Sequence, residues 1–178
     1  MGERPAEAPK GGDRRRGVEA TARPARPDDV AGVAELAREA RQEALEYRGG
    51  QRWIATEAAS EPLEDHFGAQ LADPQAMVMV GVWDTAVVGY GWARRQVRVD
   101  GAAIARIEEL FVSPEARSVG VGESLFDALT RWAVDQGAVA MDAVVLPGHR
   151  EAKNFFETFK MTAHALIMHT PIGEGERP

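Results

Sequence analysis

The sequence predicts an α/β fold of three layers, with helices on both faces of one mixed β-sheet. Three observations predict it. Apolar residues recur at helical spacing after Pro27 and again over residues 120–136. Between these stretches, residues 76–112 switch to strand-like runs broken at Asp84-Thr85 and Asp100-Gly101. After the second long helix comes "AVAMDAVVL" (138–146), short and mostly apolar, the pattern of a strand buried on both faces. A meander of strands followed by strand–helix alternation gives a mixed sheet.

Taken in order, "VEATARPA" (18–25) alternates weakly and reads as a first strand. A long amphipathic helix follows Pro27, with Asp28 and Asp29 as cap candidates. Val30, Val33, Ala37, Ala40 and Ala44 share one face, and Gly49-Gly50 marks the end. "EPLEDHFGAQLAD" (61–73) reads as a second helix, stopped by Pro74. Strands are expected at 76–84, 85–99 and 102–112, joined as an antiparallel meander. Residues 120–136 form a helix with Val121, Leu125, Leu129, Trp132 and Ala133 on one stripe and Gly137 as its stop. A strand at 138–146, a helix at 149–159 and a closing strand, "AHALIMHT" (163–170), complete the order β-α-α-β-β-β-α-β-α-β.

The 178-residue chain divides into one domain, 17–172, between two tails expected to be disordered, 1–16 and 173–178. The formal net charge is −7. An acidic domain is a poor general binder of nucleic acid; the charge suits a cationic or amine-bearing partner, or merely keeps the protein in solution. There is no cysteine, so disulfides, thiol nucleophiles and thiolate metal sites are excluded. No spacing of His, Asp and Glu suggests a metal site. No apolar run is long enough to span a membrane and no secretion signal is present, so a cytoplasmic location is expected. A homodimer is compatible with the sequence and not specified by it.

The stretch "RSVGVGESLF" (117–126) lies between a strand and a helix start. Glycines at 120 and 122 let a ligand approach the main chain. The helix that follows points unpaired N–H groups and its positive dipole end into the loop. This is an anion site suited to a pyrophosphate, or a plain strand-to-helix turn. It is not a Walker A loop, because no Gly-Lys-Ser/Thr follows. It is not the dinucleotide fingerprint, because Leu125 stands where a third Gly or Ala is needed.

"ELFVSPEARSVGVGESLFDAL" resembles the acetyl-CoA-binding motif of the GCN5-related N-acetyltransferase (GNAT) family, Gln/Arg-x-x-Gly-x-Gly/Ala. Here it reads Arg117-x-x-Gly120-x-Gly122, preceded by Leu110-Phe111-Val112-Ser113-Pro114. The resemblance extends over roughly residues 18–170 and implies a GNAT-like fold whose central mixed sheet is splayed. It implies that a pyrophosphate sits on the amides of Arg117, Ser118, Val119, Gly120, Val121, Gly122, Glu123 and Ser124. The pantetheine arm would run along Phe111 and Val112. The thioester would lie where strands 104–112 and 138–146 part, with His149 and Phe156 beside it. The acceptor amine would enter from the other side, past the first two helices and the meander loops. The Val112 amide is the candidate donor to an oxyanion.

Glu108 and Glu109 interrupt the apolar strand from Ile104 to Val112. Strict alternation puts Glu108 with Leu110 and Val112, and Glu109 with Ile107 and Phe111; a bulge would reverse the faces. An unpaired carboxylate in a covered strand is costly, so each faces a cleft or has a partner. One role is general base, deprotonating an ammonium acceptor directly or through water, as in several relatives. The other is a salt bridge to Arg94, Arg95, Arg98 or Arg106. Glu108 is the preferred base.

The chain departs from the family pattern in its last helix, "HREAKNFFETFKM". Phe156 occupies the position where relatives often carry a tyrosine that protonates the leaving thiolate. His149 stands in place of an asparagine, and Lys160-Met161 replace Gly-Phe. Either the thiolate leaves without a dedicated acid, or water, His149 or Tyr90 substitutes, or efficient catalysis is lost. The resemblance thus implies an N-acetyltransferase using acetyl-CoA and a primary amine of a small molecule or peptide, by direct attack in a ternary complex. The alternatives are a non-catalytic acyl-CoA-binding or sensing domain, and a transferase using a different acyl-CoA. His66 reads as a surface residue, and His164 and His169 as residues on opposite faces of the closing strand.

Overall fold

The computed structural model describes residues 19–170. Both expected tails, and the first residue of the expected first strand, lie outside the described residues. Five strands form one sheet in the order β1 (Ala20–Pro24), β2 (Ala76–Trp83), β3 (Ala86–Val97), β4 (Ala103–Val112), β5 (Met141–Ala143). The first four pair antiparallel and β5 pairs parallel to β4, so the sheet is mixed.

Helices α1 (Val30–Ala44), α2 (Gly50–Thr56) and α3 (Leu63–Ala72) follow β1, and α4 (Val121–Asp135) and α5 (Arg150–Thr158) flank β5 in the chain. Two apolar cores show the layers. Val33, Leu36 and Ala37 of α1 and Leu63 and Phe67 of α3 pack with Val78, Val80, Tyr90, Trp92 and Phe111 on one sheet face. Leu125, Leu129 and Trp132 of α4 and Phe156 of α5 pack with Met79, Ala93, Ala105 and Ile107 on the other. Leu125 and Leu129 are fully buried, each contributing about 2–3 kcal/mol of transfer free energy.

Asp29 ties the start of α1 to β1. Its carboxylate accepts from the Arg26 N–H (2.7 Å) and from both terminal nitrogens of Arg23 (2.6 and 2.9 Å). The Arg23 hydrogen bonds hold its carboxyl below the ordinary range; burial opposes them and the Arg26 amide adds a smaller lowering.

Three expectations are corrected. The first helix does not run to Gly49-Gly50: α1 ends at Ala44, and after a short turn Gly49 (φ 84°) leads into α2. The stretch 138–146 is not buried on both faces. Its ladder with β4 spans three residue pairs, β5 is an edge strand, and Ala140, Asp142 and Val144 are exposed. The closing strand 163–170 does not form: that segment pairs with no strand and is exposed throughout. Strand propensity needs a partner ladder, and none is in register with it here. His164 and His169 therefore do not sit on a strand.

The splay has a local cause. Trp92 of β3 pairs with Glu109 and Ala93 pairs with Ile107, so Glu108 is one residue too many. This β-bulge bends β4 just past Ile107, the last residue that pairs with β5. Beyond it the two strands part.

Candidate active site

A cleft opens at this parting. β4 contributes Ile107, Glu108, Glu109, Leu110 and Phe111; the β5 side contributes Ala143, Val144, Val145 and Leu146. Ala40, Glu43 and Ala44 of α1, Tyr47, and Trp53 of α2 roof it, and His149, Ala152 and Phe156 of α5 close the far wall.

The bulge decides where the two carboxylates go. Ile107 packs in the α4–α5 core, yet Glu109, two residues on, turns to the opposite face and meets Tyr90. Glu108 also lies on that face, beside Arg106. Strict alternation fails here, and both carboxylates line the one cleft.

Their surroundings differ. Glu109 is buried. One carboxylate oxygen accepts from the Ala59 N–H (2.6 Å), the other from the Tyr90 hydroxyl. Arg41 donates to the Ala59 carbonyl and pairs with Glu61, so α1 fixes the segment that supplies this amide. Burial pushes the Glu109 carboxyl up, and these two hydrogen bonds oppose it. The Tyr90 hydroxyl, wholly buried against a carboxylate, is pushed far above the usual phenol range. Glu108 has a single partner, the Arg106 Nε at 3.2 Å, while the Arg106 Nη2 holds Glu57 at 2.9 Å. Partial burial raises the Glu108 carboxyl and Arg106 offsets part of the rise. Of the four arginines considered for pairing, Arg106 is the one that pairs with it.

The main chain of β4 adds donors. Ser113 N–H bonds the Val88 carbonyl (2.9 Å), which makes Val112–Gly89 a non-hydrogen-bonded pair of the antiparallel ladder. The N–H and carbonyl of Val112, and by the same alternation those of Leu110, therefore turn away from β3 toward the parted side. Arg117 Nε takes the Val112 carbonyl at 3.0 Å.

The loop before α4 also has free donors. Among the described residues, the N–H groups of 118–123 donate to no protein acceptor. Gly120 (φ 93°) turns the chain into the helix, and Ser124 Oγ anchors the turn to the Ala20 carbonyl (3.1 Å). A Cβ built on Gly122 would stand 3.1 Å from the Phe155 ring, so that glycine also lets α5 pack closely. Val121 is buried in the core, while Ser118, Val119 and Glu123 are exposed, so these residues offer main chain to a ligand.

Arg117 is turned from its own loop toward Glu43 and Phe111, two residues that line the cleft. Its guanidinium lies 5.6 Å above the Phe111 ring and 2.5 Å from Glu43. Glu43 also faces His149 (3.7 Å), whose ring stacks on Tyr47 at 4.1 Å. Burial pushes His149 below its ordinary value, which favours the neutral imidazole. Phe156 is packed against Phe126 and Phe155, with no hydroxyl at that position.

Sequence reasoning did not single out Ala59, Arg41 or Trp53 as parts of this site. Trp53 came with the unexpected α2; a tryptophan just past a Gly-Gly turn was the available signal. His66 is half-buried rather than on the surface, edge-on to Phe67 and Trp92, with Nδ1 facing Ser60. No group of three or more His, Asp or Glu side chains able to hold a metal occurs among the described residues. No described helix is long and apolar enough to cross a membrane.

The model of the acetyltransferase (GNAT) family matches residues 43–161. A variant of the BH1408 protein from Bacillus halodurans superposes with a TM-score of 0.73 at 19% identity, over 85% of this chain and 98% of that one. An aminoglycoside acetyltransferase from an uncultured soil metagenomic sample gives 0.65 at 15% identity, over 87% and 99%. A ribosomal-protein-alanine N-acetyltransferase from Brucella melitensis biovar Abortus 2308 gives 0.64 at 15% identity, over 86% and 99%. No curated protein matches the chain.

Proposed function

Because the chain belongs to the acetyltransferase (GNAT) family, we propose that it transfers an acetyl group from acetyl-CoA to a primary amine of a small molecule or peptide. The reading rests above all on one observation. The parted β4–β5 edge brings two carboxylates, free main-chain donors and a cleft wall together beside a loop of unpaired amides.

That loop fits the donor substrate. Residues 118–123 offer consecutive N–H groups at a helix N-terminus, the arrangement that takes a pyrophosphate. Phe111 and Val112 would carry the pantetheine arm, with the outward N–H and carbonyl of Leu110 as strand-like partners for its amides. Acetyl-CoA, when bound, supplies an activated acyl carbonyl and a thiol leaving group.

The residues of the chain then have separate tasks. Glu108 takes the proton from the ammonium acceptor, directly or through a water, and the free amine attacks. Its raised carboxyl lies nearer to neutral pH than an ordinary glutamate, which suits a base. Glu109 is held by Tyr90 and Ala59, and its part is to shape the cleft floor and keep the acceptor cationic end in place. The Val112 N–H faces the oxygen on which charge builds. Neither Tyr90, whose hydroxyl hydrogen bond is committed to Glu109, nor neutral His149 is set up to protonate the thiolate, so solvent does so; thiols ionise near pH 8–9 and tolerate this. The acidic cleft and the chain's net negative charge suit a cationic acceptor.

Phe156 favours a second reading, an acyl-CoA-binding domain without turnover. Calorimetry with acetyl-CoA, followed by thiol-release assays over an amine panel, separates the two. Binding with turnover on at least one amine supports the transferase. Tight binding with no turnover supports the binding domain. Longer acyl-CoA esters in the same assay test the choice of acyl group.

A further inference from the structure

Arg106 stands between two carboxylates. Its Nη2 donates to Glu57 at 2.9 Å, and its Nε lies 3.2 Å from Glu108. The two contacts are unequal. The first is a well-made hydrogen bond. The second is an ion pair whose N–H is not aligned on the oxygen, so the buried Nε lacks a hydrogen-bond acceptor. Glu57 takes Arg52 on its other oxygen at 2.8 Å. One guanidinium is thus shared, and Glu57 holds it more firmly than Glu108 does.

The fold fixes this arrangement. Arg94 and Arg106 face each other across the β3–β4 ladder, where like charges repel. Each has its own carboxylate. Asp73, just after α3, takes Arg94 at 2.9 Å, and Glu57, at the end of α2, takes Arg106. The Glu57 N–H bonds the Trp53 carbonyl (2.8 Å), which pins it to the last turn of α2. The Glu57 and Glu108 side chains are 19% and 14% exposed, so water screens the sharing only in part.

The other charged and titratable groups around Glu108 are already engaged. Glu109 on β4 is tied to Ala59 and to Tyr90 of β3, and Arg94 to Asp73 and Gln70. Glu43 on α1 pairs with Arg117 and faces His149, which stacks on Tyr47. Among the described residues, Arg106 is the one cation that pairs with Glu108.

We propose that Glu57 is a positioning residue for Glu108: it draws the shared Arg106 guanidinium to itself and so leaves Glu108 free to take a proton. This rests on the reading of Glu108 as the base. Arg106 held wholly by Glu108 would lock that carboxylate in an ion pair. Burial raises the Glu108 carboxyl, Arg106 and then Arg94 lower it, and Glu109 and Glu57 raise it again, in keeping with the sharing.

NMR of the full chain, isotope-labelled at the glutamate carboxyls, reads the Glu108 titration with no substrate present. Loss of its signal in Glu108→Gln identifies it. Glu57→Gln keeps one oxygen acceptor and removes the charge, and Glu108 should then titrate lower by about half a pH unit. Arg106→Gln should move the midpoint up. The effect of Glu57→Gln should shrink in the Arg106→Gln background, because its route is gone. The acidic limb of kcat/KM should follow the NMR midpoint in each chain. A midpoint that Glu57→Gln leaves in place or raises overturns the proposal, and this arm decides alone should Arg106→Gln not fold. An equal Glu57→Gln shift with and without Arg106 overturns it as well. A midpoint that moves as expected while the acidic limb stays still upholds the sharing and removes Glu108 as the base.

Discussion

The Tyr90 hydroxyl donates to the Glu109 carboxylate across the β3–β4 ladder, with both groups buried. Burial leaves the folded chain holding the Glu109 proton more tightly than the unfolded chain does. The stability this contributes is full below the ordinary value of 4.5 and falls as pH rises through the higher folded value. Glu109→Gln keeps an acceptor for Ala59 and offers the phenol oxygen a donor. Thermal melts from pH 5 to pH 8 should fall less in Glu109→Gln than in the unsubstituted protein. Tyr90→Phe leaves a buried carboxylate oxygen unpaired and should cost about 1–3 kcal/mol in denaturant melts.

Glu108 is the carboxylate with the looser hold. Glu108→Gln should lower kcat by on the order of 10²–10⁴. Acetyl-CoA affinity, read by calorimetry, should not change. The acidic limb of kcat/KM against pH should lie above that of an ordinary glutamate, because burial raises this carboxyl, and it should vanish in the variant. An unchanged limb would move the base elsewhere.

The boundaries of β4 and α4 were legible in the sequence to within a residue or so, since long periodic runs carry their own signal. The carboxylate pair was legible too, as two charges in an apolar strand. That they share one face was not. The bulge at Glu108 comes from pairing with β3, and the partners of Glu109 lie 19 and 50 residues away. α2 was missed because Gly49-Gly50 reads as a stop, whereas α1 already ends at Ala44 and Gly49 is the residue that starts α2. The apolar pattern of 163–170 reads as strand-like, yet the segment pairs with no strand, because pattern alone does not supply a partner ladder.

Phe156 stands where a proton donor would serve. Phe156→Tyr puts a hydroxyl into the wall of the cleft and should raise kcat by on the order of 10² if thiolate departure limits turnover. A small loss of stability should accompany it, because the ring sits against Phe126 and Phe155. Stopped-flow thiol release reads the first effect and a melt the second.

Gly122 serves both packing and donor access. Gly122→Ala brings a Cβ to 3.1 Å from the Phe155 ring and should cost about 1–3 kcal/mol. Phe155→Leu in the same chain should recover part of that stability. Acetyl-CoA affinity should stay reduced in the double variant, because the added methyl still crowds the amides of the loop.

The most direct test of the central claim is thiol release from acetyl-CoA over an amine panel, run side by side with Glu108→Gln. The account predicts turnover on at least one amine and a loss on the order of 10²–10⁴ in the variant with acetyl-CoA binding intact. Binding without turnover on any amine, or turnover that Glu108→Gln leaves untouched, would contradict it.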